Sequence, residues 1–264
     1  AGPAGLAVAN AMVNAGAQVK VIEPAGRPGG SIRTVRTEGW LVETGPNTLQ
    51  IEGANDQALL QRYGLAAVLQ EADHASAQRF ILSKGKLHAL TNQPSSLFKG
   101  DLLTWRGKLR FLSEIFRPRG GHAEETVQAF MTRRFGAEAA DLLMDPVVSG
   151  VHAGDPGRLC MANSFPSIPA LEASHRSVIL GLMRQPPQGR RIIGFPSGMQ
   201  QLADAIAAPL REGALELGAM ATLIRRDARG WNVAWRNAQG QEDGATAKHL
   251  IVTAPHWQWA SLPF

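Results

Sequence analysis

The sequence predicts an α/β protein in which one α/β domain is assembled from both ends of the chain and a mainly α-helical insertion lies between them. Three observations predict this arrangement. Glycines, a helix and a short apolar strand open the chain, a long middle stretch has helical spacing, and strands return near the end. We place the first part of the domain at residues 1–74, the insertion at 75–191 and the second part at 192–264.

Composition excludes several classes of protein. The 264 residues are 44% hydrophobic and 19% charged, which is typical of a folded globular chain and not of a disordered one. The sequence shows no signal peptide and no apolar run long enough to span a membrane, so we expect a soluble or peripheral protein. A single cysteine, Cys160, excludes an internal disulfide, and no Cys or His spacing predicts a metal site.

The first helix begins after two glycines. Gly2 and Gly5 have the spacing of the last two glycines of G-x-G-x-x-G, and an apolar helix is predicted over residues 6–16. Residues 19–22 then form a predicted buried strand that ends at Glu23. Such glycines let a pyrophosphate approach the helix N-terminus, and the acidic residue can bind ribose hydroxyls. The start therefore predicts a Rossmann-like dinucleotide-binding unit, although the first glycine and first strand of the pattern are absent from the sequence.

A second pair of glycines follows directly. Residues 27–34 read Arg-Pro-Gly-Gly-Ser-Ile-Arg-Thr, the R-x-G-G-x-x-R-T pattern of flavoproteins of the two-dinucleotide-binding type. A hairpin is predicted from strands at 34–37 and 40–44. The tripeptide Gly45-Pro46-Asn47 comes next, and its place after the glycine pair favours cofactor contact over an ordinary turn.

The predicted insertion carries the positive charge of the chain. Residues 79–134 hold eleven Lys or Arg against four Asp or Glu, a local charge of +7 within a total of +5. Three partners fit this charge: an anionic membrane, nucleic acid and a substrate with several carboxylates. A basic face that is merely solvated fits it as well. The predicted helix over 102–116 mixes aromatic, aliphatic and basic residues, so it either lies on a membrane or packs on the core with one wet face.

The rest of the elements follow from periodicity. We predict a helix at 55–63, a hairpin at 79–90, and further helices at 124–135, 137–144 and 177–183. A Pro-Pro-Gln-Gly break at 186–189 precedes a helix at 198–210, strands at 221–226 and 231–236, and a buried strand at 250–255. The tail thus resumes the α/β pattern of the start.

Together these motifs resemble the flavin-containing amine oxidase superfamily, and within it the oxygen-dependent protoporphyrinogen oxidase family. The resemblance spans nearly the whole chain. It rests on residues 2–47 and on the motifs at 79–87, 124–136, 145–156, 164–166, 175–179 and 198–199, of which residues 150–156 are the most specific.

The resemblance implies which residues form the sites. Those implied along FAD are Gly2, Gly5, Glu23, Arg27, Gly29, Gly30, Arg33, Gly45, Pro46, Asn47 and, through its backbone, Ala221. Arg79 is implied to hold a propionate of the tetrapyrrole, because a guanidinium pairs bidentately with a carboxylate and keeps its charge. Gly150 and Val151 are implied near the macrocycle. No catalytic side chain is expected, since FAD carries the chemistry.

The resemblance also implies the activity. It is FAD-dependent oxidation of protoporphyrinogen IX to protoporphyrin IX in porphyrin biosynthesis, with oxygen as acceptor and hydrogen peroxide as product. The alternatives are oxidation of coproporphyrinogen III, another amine oxidase or desaturase activity, and a non-catalytic binding module. Beside the porphyrinogen and oxygen, we expect an anionic membrane as partner, at the cytoplasmic face of the inner membrane. A homodimer is possible, and binding to nucleic acid is not expected. Because the opening strand is missing, we interpret the chain as a fragment that binds FAD weakly.

Overall fold

The computed structural model describes residues 1–73, 79–90, 100–185 and 190–264, and for Arg79 and Leu90 the backbone alone. The chain forms two compact units, Ala1–Ala72 with Gly189–Phe264 and Asp73–Gln188. The first unit unites both ends of the chain and the second is the insertion. Their limits lie at 72 and 188, where the sequence suggested 74 and 191; the break at 186–189 lies outside the described residues.

The first part of the first unit alternates short strands with two helices. Its elements are α1 (Pro3–Asn14), β1 (Val21–Glu23), β2 (Thr34–Thr37), β3 (Trp40–Glu43), β4 (Leu49–Ile51), α2 (Gly53–Arg62) and β5 (Gln70–Glu71). β2 and β3 pair antiparallel, which confirms the predicted hairpin. Helix α1 begins at a proline, as helices often do, because the first turn needs no N–H donor there.

The insertion is mainly helical. Its elements are β6 (Arg79–Ser83), β7 (Lys86–Leu90), α3 (Trp105–Leu112), a 3₁₀ turn (Ser113–Phe116), α4 (Val127–Phe135), α5 (Ala137–Ala139), a π-helical segment (Ala140–Met144), α6 (Asp145–His152), α7 (Met161–Ser164), α8 (Ser167–His175) and α9 (Val178–Arg184). The β6–β7 hairpin turns at Lys84 and Gly85, both with positive φ, as a tight two-residue turn requires. Thr104, Thr126 and Ser177 cap α3, α4 and α9 through their hydroxyls.

The second part of the first unit adds β8 (Arg191–Gly194), α10 (Gln200–Ala207), β9 (Leu215–Leu217), β10 (Met220–Asp227), β11 (Gly230–Arg236), β12 (Glu242–Ala247) and a 3₁₀ helix (His256–Ser261). β9 pairs in parallel with β1, and β8 pairs with β4 and β5, so strands from both ends of the chain share two sheets. β10, β11 and β12 form an antiparallel sheet. Each unit has its own hydrophobic core, centred on Leu6, Leu60 and Ile193 in the first and on Val127, Phe130 and Val148 in the insertion.

Three predicted elements differ from the structure. The helix predicted at 102–116 is α-helical over Trp105–Leu112 and continues as a 3₁₀ turn. The helix at 137–144 is α-helical only to Ala139 and continues as a π-helical segment. Pro146 explains the wider turn, because proline has no N–H to donate to the carbonyl of Leu142, four residues earlier, and its ring crowds that carbonyl. Residues 250–255 form no strand: they pair with no described strand, and Ile251 is half exposed.

Candidate functional site

The N-terminus of α1 offers uncapped backbone donors. Gly2 is the N-cap in an extended conformation, it provides no side chain to accept from the first turn, and that turn contains no acidic residue. Gly5 is buried, and a Cβ there would lie 2.7 Å from Oγ1 of Thr253, so α1 packs closely against this segment only because residue 5 is glycine. Free N–H groups at a helix N-terminus bind phosphate.

The glycine pair at 29 and 30 folds against this helix start. The N–H of Gly29 donates to the carbonyl of Ala1 at 2.8 Å. Gly29 and Gly30 have φ of 112° and 57°, and a Cβ on Gly30 would lie 3.0 Å from Cα of Gly2. The two glycine motifs, nearly thirty residues apart in the sequence, are thus in direct contact through backbone atoms.

Arg27 holds the carbonyl groups of this loop. Its guanidinium donates to the carbonyls of Ile32 at 2.6 Å, Gly30 at 2.8 Å and Pro28 at 3.2 Å. A fourth bond joins Nη1 to Oε1 of Gln200 at 3.2 Å. The resemblance implied that Arg27 lies along the cofactor; in the structure its donors stabilise the loop that carries the glycines.

Glu23 ends β1 and is buried. Its carboxylate accepts from the N–H of Ala25 at 2.9 Å and also contacts the amino nitrogen of Ala1. Its carbonyl accepts from the N–H of Ala219 at 2.9 Å, which brings the beginning of β10 beside it. Ala221 follows two residues later at a β-bulge, half-buried and paired with Trp235. The acidic residue and the backbone of 219–221 therefore share one edge of the first unit.

Gly45 and Arg33 bring a third segment to the glycine loop. A Cβ on Gly45 would lie 1.8 Å from the carbonyl oxygen of Ser31, so only glycine fits. The neighbouring Thr44 donates its N–H to the carbonyl of Arg33 at 3.0 Å. Arg33 is exposed.

Pro46 and Asn47, the last two residues of the tripeptide, are both exposed. Asn47 also lines a cavity of about 270 Å³ together with Gly198 and Met199.

Two groups that the sequence analysis did not single out complete this region. Thr34 and Glu43, on neighbouring strands of the β2–β3 hairpin, hydrogen-bond each other and the N-terminus of α10. Gln200, on α10, contacts the loop of Arg27. Thr34 was visible as the last residue of the R-x-G-G-x-x-R-T pattern, whereas nothing in the sequence pointed to Gln200.

The residues implied for substrate belong to the insertion. Arg79 begins β6, where its backbone pairs with Leu90, and its side chain lies outside what the structure describes. Gly150 and Val151 lie on α6; Val151 is 68% exposed, and a Cβ on Gly150 would meet no atom within 4 Å. Ile81 on β6 and Val148 on α6 share the core of the insertion, so these elements form one packed body. In the described residues no cluster of His, Cys, Asp and Glu could hold a metal.

The residues of the first unit define a class of protein. An uncapped glycine turn before a helix, an acidic residue after the next strand and a second glycine loop packed on the first are an arrangement typical of flavoproteins. The chain belongs to the flavin containing amine oxidoreductase family, whose model matches residues 3–263. Membership implies a flavin cofactor, and the free donors of α1 with the glycine-only approaches fit such a group.

Curated relatives narrow the comparison. The chain is 31% identical over 278 residues to the chloroplastic protoporphyrinogen oxidase of Nicotiana tabacum. The alignment covers 97% of this chain and 50% of the relative. It is 38% identical over 179 residues to the human protoporphyrinogen oxidase, covering 63% of this chain and 36% of the relative. The chain thus spans about half the length, or less, of these relatives.

Solved structures agree on the fold. A suspected protoporphyrinogen oxidase from Exiguobacterium sp. 255-15 superposes with a TM-score of 0.75 at 22% identity, over 99% of this chain and 59% of that one. A putrescine oxidase superposes with a TM-score of 0.62 at 20% identity, over 99% of this chain and 58% of that one. These likenesses show the α/β fold of flavin amine oxidases.

Proposed function

We propose that the protein carrying this chain oxidises protoporphyrinogen IX to protoporphyrin IX with FAD as cofactor and oxygen as acceptor, giving hydrogen peroxide. The observation that carries the proposal is the relationship to protoporphyrinogen oxidases over nearly the whole chain. FAD, when bound, supplies the acceptor for hydride from the macrocycle. The chain's own residues bind and orient: backbone donors of α1 receive the pyrophosphate, Glu23 a ribose, and Arg79, Gly150 and Val151 the tetrapyrrole.

A second substrate is also supported. The chain is 26% identical over 258 residues to the coproporphyrinogen III oxidase of Bacillus subtilis, covering 90% of this chain and 54% of that relative. The two porphyrinogens differ in their number of propionates, and each propionate needs a cationic or hydrogen-bonding partner. Protoporphyrinogen is the first proposal because its relatives match at higher identity.

The test is a fluorescence assay in air with the FAD-loaded protein that carries this chain. We expect enzyme-dependent growth of porphyrin fluorescence from protoporphyrinogen IX, faster than from coproporphyrinogen III at the same concentration, and peroxide in step with it. The reverse preference would assign coproporphyrinogen. No growth with either substrate, from protein that holds FAD, would move the activity to another substrate of the family.

Replacing Arg79 with Ala is expected to raise KM for the porphyrinogen. A charged hydrogen bond to a propionate is worth about 1.5–3 kcal/mol, and its loss leaves the cofactor site in the other unit untouched. Steady-state kinetics at matched FAD content measure the effect, with Arg190→Ala, an exposed arginine paired with Glu52, as the control. An unchanged KM for Arg79→Ala would remove this residue from the substrate site.

An exposed apolar stripe on the insertion supports the membrane proposal. Trp105, Leu109, Leu112 and Phe116 repeat at intervals of four, three and four residues, which places them on one face of α3 and the turn that follows. This face points outward: Trp105 is 78% and Phe116 83% exposed. The opposite face of α3 packs inward through Phe111, whose ring centroid lies 4.7 Å from that of Phe135.

Basic side chains border this stripe. Arg106, Arg117 and Arg119 are exposed beside it, as expected for a surface that meets anionic headgroups. No described helix is both long and apolar enough to cross a membrane. From the exposed apolar stripe and its basic neighbours, we propose that the insertion lies on an anionic membrane surface, at the cytoplasmic face of the inner membrane.

Changing Trp105 and Phe116 together to Ser is expected to abolish most co-sedimentation with vesicles of phosphatidylglycerol and phosphatidylcholine at low salt. Both substitutions remove exposed apolar area, so the fold should persist. Trp40→Ser, which removes a 72% exposed tryptophan from the other unit, is the control and should bind like the wild type. Wild-type protein that stays in the supernatant at low salt, where screening is weakest, would contradict the proposal.

A further inference from the structure

Gln200 reaches the glycine loop from the far part of the chain. Its Nε2 donates to the carbonyl of Pro28 at 3.0 Å, and its Oε1 accepts from Nη1 of Arg27 at 3.2 Å. Nε2 also donates to Oδ1 of Asp204, one turn further along α10, at 2.8 Å. The side-chain nitrogen of Gln200 thus bonds both its own helix and the loop, and the side-chain oxygen bonds the loop.

The helix that carries Gln200 is itself fixed to the β2–β3 hairpin. Oγ1 of Thr34 accepts from the N–H of Gln200 at 2.9 Å and donates to the carboxylate of Glu43 at 2.9 and 3.0 Å. Oε1 of Glu43 accepts from the N–H of Met199 at 2.8 Å. Gly198 makes this approach feasible, since a Cβ there would lie 2.3 Å from Thr34. These bonds tie the start of α10 to the β2–β3 hairpin.

The glycine loop depends on such outside support. Gly29 and Gly30 both have positive φ, which costs glycine little but leaves many conformations open to a free loop. One internal bond, from the N–H of Ile32 to the carbonyl of Gly29 at 3.0 Å, closes the turn. Arg27 donates to the carbonyls of Pro28, Gly30 and Ile32, and Gln200 bonds both Arg27 and Pro28.

We propose that Gln200 is a positioning residue for the flavin, acting through Arg27 and Pro28 on the loop that places Gly30 against Gly2. Thr34 and Glu43 of the hairpin hold the start of α10, and so position Gln200 against the loop. The inference rests on the proposed FAD cofactor: with the loop held, its backbone needs no reorganisation when FAD binds, and this preorganisation raises affinity. Because Gln200 contacts this loop, we expect its replacement to change FAD affinity and not the turnover rate of protein that holds FAD.

The experiment compares Gln200→Leu with Gln201→Leu. Gln201 is the matched control, because its Oε1 is buried without a hydrogen-bond partner among the described residues. FAD is titrated into the FAD-free form of the whole protein that carries this chain, and its dissociation constant is read from flavin fluorescence. Hydrogen exchange of the Ile32 amide is measured on the same FAD-free samples. We expect Gln200→Leu to weaken FAD binding about tenfold and to speed exchange at Ile32, with Gln201→Leu like the wild type.

A second pair of variants separates positioning from general damage. Thr34→Val removes the hydroxyl that accepts from Gln200 and should reproduce both effects, whereas Thr34→Ser keeps the hydroxyl and should restore wild-type values. Equal FAD affinity and equal exchange in Gln200→Leu and the wild type would overturn the inference. Wild-type protein that takes up no FAD would instead refute the cofactor proposal, while the exchange measurement would still decide whether Gln200 holds the loop.

Discussion

Replacing Arg134 with Met is expected to lower the free energy of unfolding of the insertion by about 3–5 kcal/mol, because it leaves a buried carboxylate without its counter-charge. Arg134 and Glu114 are both fully buried and form an ion pair. The guanidinium also donates to the carbonyl of Pro118 at 3.0 Å and to that of Arg176 at 2.9 Å. One side chain therefore joins the 3₁₀ turn, α4 and the junction of α8 with α9.

The position requires arginine and not merely a positive charge. Lysine has one donor nitrogen on a flexible stem, and it cannot reach the carboxylate and the two carbonyl groups at once. We expect Arg134→Lys to lose most of the stability that Arg134→Met loses. The exposed Arg158→Met on the same unit should change it by less than about 0.5 kcal/mol. Chemical denaturation followed by circular dichroism measures the stability of these three variants. A wild-type unfolding midpoint for Arg134→Met would show that the ion pair of Arg134 with Glu114 makes no net contribution to stability.

Acid should weaken the same network. Burial raises the pKa of the Glu172 carboxyl, but its hydrogen bond with Arg133 and the charges of Arg133 and Arg134 outweigh burial and hold that pKa below its ordinary value. A lowered pKa in the folded state means that the carboxylate stabilises the fold above the unfolded value of about 4.3. This contribution is lost as the pH falls from there through the folded pKa. Glu172→Gln should therefore flatten the acid limb of a plot of unfolding midpoint against pH.

Local sequence signals predicted the elements that depend on local physics. The α1 helix, the β2–β3 hairpin and the β6–β7 hairpin follow from glycine position, apolar spacing and turn residues, and all three are present. Strands β4, β5 and β8 were not predicted, because each is only two to four residues long and its partner comes from another part of the chain. Periodicity over so few residues carries no signal, so only tertiary pairing defines them.

The candidate site divides in the same way. Glycine spacing predicted that the start of α1 and the second glycine pair both contact a cofactor. The close approach of Gly30 to Gly2 was not predicted and is seen only in the structure. The support behind the loop was not predictable, since Gln200 lies 173 residues from Arg27 and glutamine on a polar helix face is ordinary. Likewise, periodicity alone left open which face of α3 is wet; the structure turns the stripe of Trp105 and Phe116 outward.

Gly45→Ala is expected to destabilise the first unit and to impair flavin binding together. The new Cβ would lie 1.8 Å from the carbonyl oxygen of Ser31 and 2.9 Å from its carbonyl carbon, and backbone atoms cannot turn aside as a flexible side chain can. Either the turn at Gly45 or the loop at Ser31 must move. Overpacking of this kind costs about 1–3 kcal/mol or more. Because Ser31 directly follows Gly30, the displacement reaches the loop that meets Gly2, so FAD affinity should fall at least as far as in Gln200→Leu.

The control for this steric argument is Gly26→Ala. Gly26 lies in the same region, but a Cβ there would meet nothing within 4 Å, and its φ is not positive. Alanine at such a position restricts the unfolded chain and should leave stability unchanged or raise it by about 0.4–1 kcal/mol. Thermal unfolding of FAD-free protein and titration with FAD, run on both variants, test the pair. Wild-type melting and affinity in Gly45→Ala would mean that the turn relaxes freely, and the close contact of Gly45 with Ser31 would then not be what fixes the flavin loop.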